Sequence, residues 1–251
     1  MGEQNVKQIQ SKAEMRKFTQ HLFRDIKALE FMLENDMFES GITRVGAEQE
    51  MCLIDAAYRP AAIAQKVLGE LTDPHFTNEL SQFNLEINLD PQVFTGDCLT
   101  KMEKQVRDCL KTLSVNLKGH NADYILVGIL PTIRRSDLTL ENLTPNPRYF
   151  ALNDAILEMR GGPYEFRISG SDELITTHDT LMFESCNTSF QVHYQVDAKE
   201  FATAYNWAQA ITGPVLSVAT NSPLLLNHRL WRETRIALFQ QSTDTRNTAE
   251  N

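Results

Sequence analysis

The sequence predicts an α+β fold on a mostly antiparallel sheet with helices on one face. Three stretches carry that prediction: residues 45–55 (VGAEQEMCLID), 82–90 (QFNLEINLD) and 187–196 (NTSFQVHYQV) alternate with the period of two that a half-buried strand requires. Among them run apolar stripes with the three- and four-residue spacing of amphipathic helices, so that strands and helices are interspersed.

At 251 residues, 42% of them hydrophobic, the chain can bury a sizeable core. No internal repeat and no obvious linker divides it, so residues 1–251 are expected to form one domain. The 24 basic residues against 33 acidic ones leave a net charge of −9 with no Lys/Arg-rich block, which argues against nucleic acid as a partner. Cys52, Cys98, Cys109 and Cys186 are far apart with no CxxC pair, so their spacing suggests neither a disulfide framework nor a zinc site. A reducing cytoplasm is the simplest setting. The first thirty residues lack an apolar signal core, and no apolar run approaches the ~20 residues that span a bilayer, so no membrane partner is expected. Self-association to a homo-oligomer stays open.

In chain order, Phe18, Leu22, Ile26, Leu29 and Leu33 mark an amphipathic helix over about 5–38, expected to serve packing alone. Gly41 ends it and the 45–55 strand follows, then a turn at Tyr58, Arg59 and Pro60 into a helix over 61–71 that Asp73 and Pro74 close. After the 82–90 strand, Leu99, Met102, Val106, Cys109, Leu113 and Leu117 predict a helix through Gly119 that covers the apolar side of the sheet. Residues 124–130 (YILVGIL) read as a buried strand opening at Pro131 into a polar loop with Arg134, Arg135 and Asp137. A short helix is expected over 148–159, ended by Gly161 and Gly162. Past the 187–196 strand, one helix is expected from Lys199 toward Pro214 and another from near Arg229, with a frayed tail beyond Gln241.

The polar faces of the three strands are the chemically informative part. Glu48 and Glu50 share a face with Cys52; Glu86 lies between Asn84 and Asn88; Gln191 and His193 share a third. Paired carboxylates raise each other's pKa, and a sheet tolerates them only where water or a cation compensates. One reading is a solvated sheet face. Against it, these faces carry Glu, Asn, Gln, Ser, Cys and His but no cation, whereas a solvated face usually mixes in Lys and Thr. Several carboxylates with one imidazole suit Mg2+ or Mn2+ better than zinc, and Mg2+ suggests a nucleotide.

In order along the chain, GAEQEMCLID, FNLEINLDP, LVGILPTI, TSFQVHYQV, ATNSPLLL and RLWRETRIAL resemble the glutamate-cysteine ligase family, especially its bacterial second type of carboxylate-amine ligases, from Val45 to about Leu238. The resemblance implies a curved, glutamine-synthetase-like catalytic sheet that binds ATP through metal ions. Glu48 and Glu50 match the paired glutamates of the family's first motif, Glu86 the glutamate of its second, and His193 the histidine of its QVH strand. All four are thereby implied as Mg2+ or Mn2+ ligands. The implied reaction is ATP-dependent formation of a γ-glutamyl amide from glutamate, or a similar acid, and an amine such as cysteine, through an acyl-phosphate intermediate. A non-catalytic nucleotide- or amino-acid-sensing domain of the same fold is the alternative, and a metal-dependent hydrolase a third reading.

Arg229, Arg232 and Arg235 recur every three residues, which would set them on one arc of a helix able to bind phosphate or carboxylate, unless they pair with Glu233 on a solvated face. Arg232 and Arg235 are the candidates for the reacting groups, and Arg229 with Gln191 for the nucleotide. Catalytic domains of the family continue past the equivalent of Gln241, where a late strand supplies a further glutamate and an arginine. The resemblance therefore implies an incomplete site, either because the sequence is a fragment of a longer protein or because it is a shortened homologue that keeps the fold and binds nucleotide or amino acid without full turnover.

Overall fold

The computed structural model describes Val6, Ile9 and residues 11–246. Residues 5, 7, 8 and 10 of the expected first helix, and the tail from 247, lie outside the described residues. Helix α1 runs Lys12–Glu34 from Ser11, whose hydroxyl oxygen accepts the Glu14 N–H at 3.2 Å. Its expected packing role is not met: no residue of α1 is buried, and Phe18, Leu22, Ile26, Leu29 and Leu33 are exposed. Three- and four-residue spacing suffices to form a helix, whereas burial needs an opposing surface, and the described residues bring none to this stripe.

The following elements are β1 (Arg44–Asp55), α2 (Ala64–Glu70), β2 (Phe76–Asn78), β3 (Asn84–Asn88), β4 (Gln92–Val93), α3 (Cys98–Lys118) and β5 (Ala122–Ile125). After them come α4 (Pro147–Arg160), β6 (Tyr164–Ser169), β7 (Glu173–His178), β8 (Phe190–Tyr194), α5 (Phe201–Val218), β9 (Leu224–Leu225), β10 (His228–Arg229) and α6 (Arg235–Thr243). Strand β1 is the centre of a six-stranded sheet whose ladders are all antiparallel. Along one edge it pairs with β4 and β3, and β2 continues outward from β3. Along the other it pairs with β8 and β5; Val45 faces Gln92 on one side and Tyr194 on the other.

Alternation along β1 divides the molecule into two packing problems. Ala47, Met51 and Leu53 point to the side covered by α3, where they meet Leu85, Ile87, Leu113 and Leu117 in a buried core, as the sequence predicts. The opposite face begins with Glu48 and Glu50 and ends with Cys52 and Ile54. That apolar end packs into a second core with Phe83, Phe166, Phe183 and Leu238, supplied in part by the β6–β7 hairpin, the 3-10 turn Leu181–Cys186 and α6. The acidic pair is therefore roofed at one end rather than lying on an open sheet surface.

Several expectations change at the boundaries. The 124–130 run is not one strand: β5 stops at Ile125, and the chain crosses to the second layer, where Thr188 N–H donates to the Gly128 carbonyl at 3.0 Å. Gly128 permits the crossing, since a Cβ there would lie 2.4 Å from Asn221 Oδ1. The β6–β7 hairpin occupies a stretch without a predicted element. Helix α5 begins at Phe201, passes through Pro214 and leaves its large apolar side chains exposed.

The largest change concerns the arginines. Leu226 and Asn227 both take positive φ (50° and 65°), the geometry of a tight hairpin turn, which folds β10 back onto β9. Arg229 therefore lies on a strand, Arg232 in a turn and Arg235 at the start of α6, so the three do not share one helical arc.

Candidate metal centre

Register alone assembles the acidic face. Glu50 stands directly opposite Glu86, and Glu48 lies between Asn88 on one flank and Gln191 on the other. His193, paired in register with Gly46, reaches across so that its Nε2 is 3.4 Å from Glu48 Oε1. The four residues singled out from alternation thus come together on one face, with Glu48 and Glu86 buried.

Sequence reasoning missed two further carboxylates. Glu79 follows β2, and one oxygen from each of Glu50, Glu79 and Glu86 can be chosen so that all three lie within 4.8 Å of one another. A period-two signal existed: Thr77 pairs with Glu86, so Glu79, two residues on, continues the acidic side. Glu184 sits in the 3-10 turn Leu181–Cys186, where no strand or helix period marks it.

Electrostatics shows what this crowding costs. Burial first, then sharing a hydrogen bond with Glu86 and repulsion from Glu50 and Glu86, pushes the Glu79 carboxyl from its ordinary 4.5 to about 9. Burial and the Glu50 charge push Glu184 up to about 7. Glu48 is raised by burial and by Glu86, with His193 opposing. Glu50 is raised by burial, although the Ser189 N–H donates to its Oε2 at 2.7 Å and the Gln191 amide to its Oε1 at 2.9 Å. The Asn88 amide donates to Glu86 Oε1 at 2.5 Å. Among the described residues no Lys or Arg forms an ion pair with Glu50, Glu79 or Glu86.

The donor chemistry fits a hard divalent cation. Three carboxylate oxygens, with a fourth carboxylate and an imidazole alongside, form the oxygen-rich set that Mg2+ or Mn2+ takes, and ligands on octahedral Mg2+ lie about 3 Å apart, within a small contraction of this cluster. A cleft of about 640 Å3, lined by Arg44, Thr77, Asn88, His193 and Gln195 among others, opens at the His193 end of the sheet.

The expected cationic helpers fare differently. Arg44 stands on the same face of β1 as Glu48, so that face does carry a cation, but one ion-paired with Glu39 and donating to Gln195 at 3.0 Å. Arg235 ion-pairs with Glu233 and donates to the Thr188 carbonyl at 2.9 Å, one residue from the Ser189 amide that holds Glu50. Arg229 is exposed, with its backbone bonded to Asp172 at the tip of the β6–β7 hairpin, and Arg232 is exposed in its turn. Neither side chain makes a hydrogen bond or ion pair among the described residues.

Fold and site together define an α+β protein with a half-buried, oxygen-rich centre on an antiparallel sheet. The profile of glutamate-cysteine ligase family 2 (GCS2) matches residues 44–249, and the chain belongs to this family. Membership carries ligase activity of the carboxylate-amine type. No curated protein and no solved structure was found to match the chain. The four cysteines are free and buried, and no helix among the described residues is long and apolar enough to cross a membrane.

Proposed function

We propose that the protein is an ATP-dependent ligase that joins the γ-carboxylate of glutamate, or of a similar acid, to an amine such as cysteine through an acyl-phosphate intermediate, on a sheet of glutamine-synthetase-like form. The observation that carries this reading is the uncompensated cluster of Glu50, Glu79 and Glu86 in a chain of this family. Glu48, Glu50, Glu79 and Glu86 are the residues that would hold Mg2+ or Mn2+, with His193 at the rim. A cation bound there supplies charge neutralisation for the ATP phosphates.

The protein's own groups do the positioning. The Ser189 amide and the Gln191 side chain fix both oxygens of Glu50, and Asn88 fixes one of Glu86, so the carboxylates are preorganised rather than free to splay. Gln191 in this reading acts on the nucleotide site through Glu50. The half-buried acidic wall repels a free carboxylate or phosphate unless a cation accompanies it, which makes binding of the acid and of ATP dependent on metal. Arg235, ordered by Glu233 and Thr188, is the arginine nearest in the chain's bonding pattern to Glu50 and the better candidate for a substrate carboxylate.

Incubation with ATP, Mg2+, glutamate and a panel of amines, followed by ADP release, tests the reading. Multiple-turnover ADP release is expected only when acid and amine are both present, since acid alone can yield at most about one equivalent as the enzyme-bound acyl phosphate. Product formed without ATP would instead indicate a hydrolase, and saturable nucleotide binding with no turnover on any amine would indicate a sensing domain.

A further inference from the structure

Cysteine spacing offers no sign of a zinc site, yet folding brings one cysteine into a mixed donor set. Asp73 and His75 lie in the loop between α2 and β2, and Cys109 lies on α3. One carboxylate oxygen, one imidazole nitrogen and the Cys109 Sγ lie within 4.8 Å of one another. Cys109 is 5% exposed and makes no hydrogen bond among the described residues, so its thiol is a buried, unpartnered group aimed at the other two. The His75 ring is held at both nitrogens: Nδ1 is 2.6 Å from Asp73 Oδ1, and Nε2 is 3.1 Å from Asp90 Oδ2. Gln105, one turn before Cys109, donates to that same Asp90 oxygen at 2.8 Å.

We propose that Asp73, His75 and Cys109 form a second metal site, of zinc class, that ties the loop ahead of β2 to α3 on the side of the sheet opposite the carboxylate centre. The two donor sets differ in kind. Carboxylate, imidazole and thiolate together make the borderline-soft set that Zn2+ takes and Mg2+ does not, while the Glu50, Glu79 and Glu86 cluster offers oxygen alone. With ligands at about 2.0–2.3 Å, a tetrahedral ion sets its donors roughly 3.3–3.8 Å apart. The Nδ1–Oδ1 pair must open by less than about 1 Å, and the widest pair must close by a similar amount. The loop carrying Asp73 and His75 is partly exposed and gives the ion a path from solvent. Asp90, accepting from Nε2–H, then orients the ligating ring in the carboxylate–histidine–metal manner, and water takes the remaining position.

The test titrates the protein, stripped by a chelator, with Co2+ and then Zn2+. About one equivalent of Co2+ is expected to give thiolate-to-cobalt charge-transfer absorption that Zn2+ displaces and excess Mg2+ does not. Cys109→Ser should abolish that absorption. His75→Gln, at a partly exposed position, should weaken Zn2+ binding at least about tenfold, while Glu50→Gln leaves the absorption unchanged. Metal-free melts establish that each variant is folded; should Cys109→Ser fail to fold, His75→Gln decides the matter alone. Co2+ binding without the charge-transfer band, a band that survives Cys109→Ser, or Zn2+ affinity unchanged in folded His75→Gln overturns the site.

Discussion

Glu50 and Met51 are adjacent in sequence, lie on opposite faces of β1 and act on the fold in opposite senses. Met51 is fully buried against α3 and the neighbouring strands, where removal of apolar surface from water stabilises the sheet. Glu50 lies against Glu86 and Glu79, where each added negative charge destabilises it. One strand thus carries a face selected for packing and a face whose composition packing cannot explain. A destabilising arrangement of this kind, roofed at one end and supported by specific amide donors, is what a binding centre looks like before its cation is counted.

The first way to sharpen this contrast is to truncate each side of the strand. Met51→Ala should lower unfolding free energy by about 2–5 kcal/mol, read by denaturant melts, because it leaves a cavity in a close-packed layer. Glu50→Gln should leave stability intact or slightly raised, yet reduce turnover in the ligase assay at least about tenfold. If the two substitutions cost stability equally and Glu50→Gln spares turnover, the division of the strand into a packing face and a working face is wrong.

A smaller effect should appear in the pH dependence of metal-free stability. The Glu79 pKa is raised on folding, from 4.5 to about 9, so the folded state binds more protons than the unfolded state between those values. Its stabilising contribution is fully present below about pH 4.5 and is lost as pH rises toward about 9. Thermal melts in a chelator should therefore show the melting temperature falling from pH 5 to pH 8.5. Glu79→Gln should flatten that slope and raise the value at pH 8 by roughly 2–4 °C per kcal/mol of repulsion relieved. A wild-type slope that Glu79→Gln leaves untouched would remove Glu79 from the cluster's electrostatics.

The smallest effects separate the arginines. Arg235→Ala leaves the buried Glu233 carboxylate without its ion pair and should cost about 1–3 kcal/mol together with activity. Arg229→Ala, on an exposed short strand, should change stability by no more than about 0.5 kcal/mol. Parallel melts and ADP-release assays on the two variants check the ranking, and a larger loss of turnover from Arg229→Ala would restore it to the nucleotide site.

What could be read from the sequence follows from how local the signal is. Alternation fixes which side of a strand a residue faces, and so Glu48, Glu50, Glu86 and His193 are legible from the period of their strands alone. Glu79 escaped because it follows a strand only three residues long, too short for a period of two to show. The Asp73, His75 and Cys109 cluster joins a loop to a helix more than thirty residues away, and no period encodes such a meeting. The arginine spacing misled because a repeat of three fits a helix only where the backbone is helical, and the positive φ pair at Leu226 and Asn227 makes a hairpin instead. The exposed stripe of α1 teaches the same lesson, since amphipathic spacing states which face would be buried and not whether anything buries it.

The central claim, that the acidic face is a divalent-cation centre, is tested most directly by calorimetric titration of Mg2+ or Mn2+ into the metal-free protein at pH 8 in buffers of different ionisation enthalpy. Burial and the neighbouring carboxylates raise the Glu79 carboxyl to about 9, so binding at that pH is expected to release protons, and Glu79→Gln should diminish the release. Binding of Mg2+ or Mn2+ that Glu50→Gln weakens is the result the account predicts; absence of binding, or binding that Glu50→Gln and Glu79→Gln both leave unchanged, contradicts the claim.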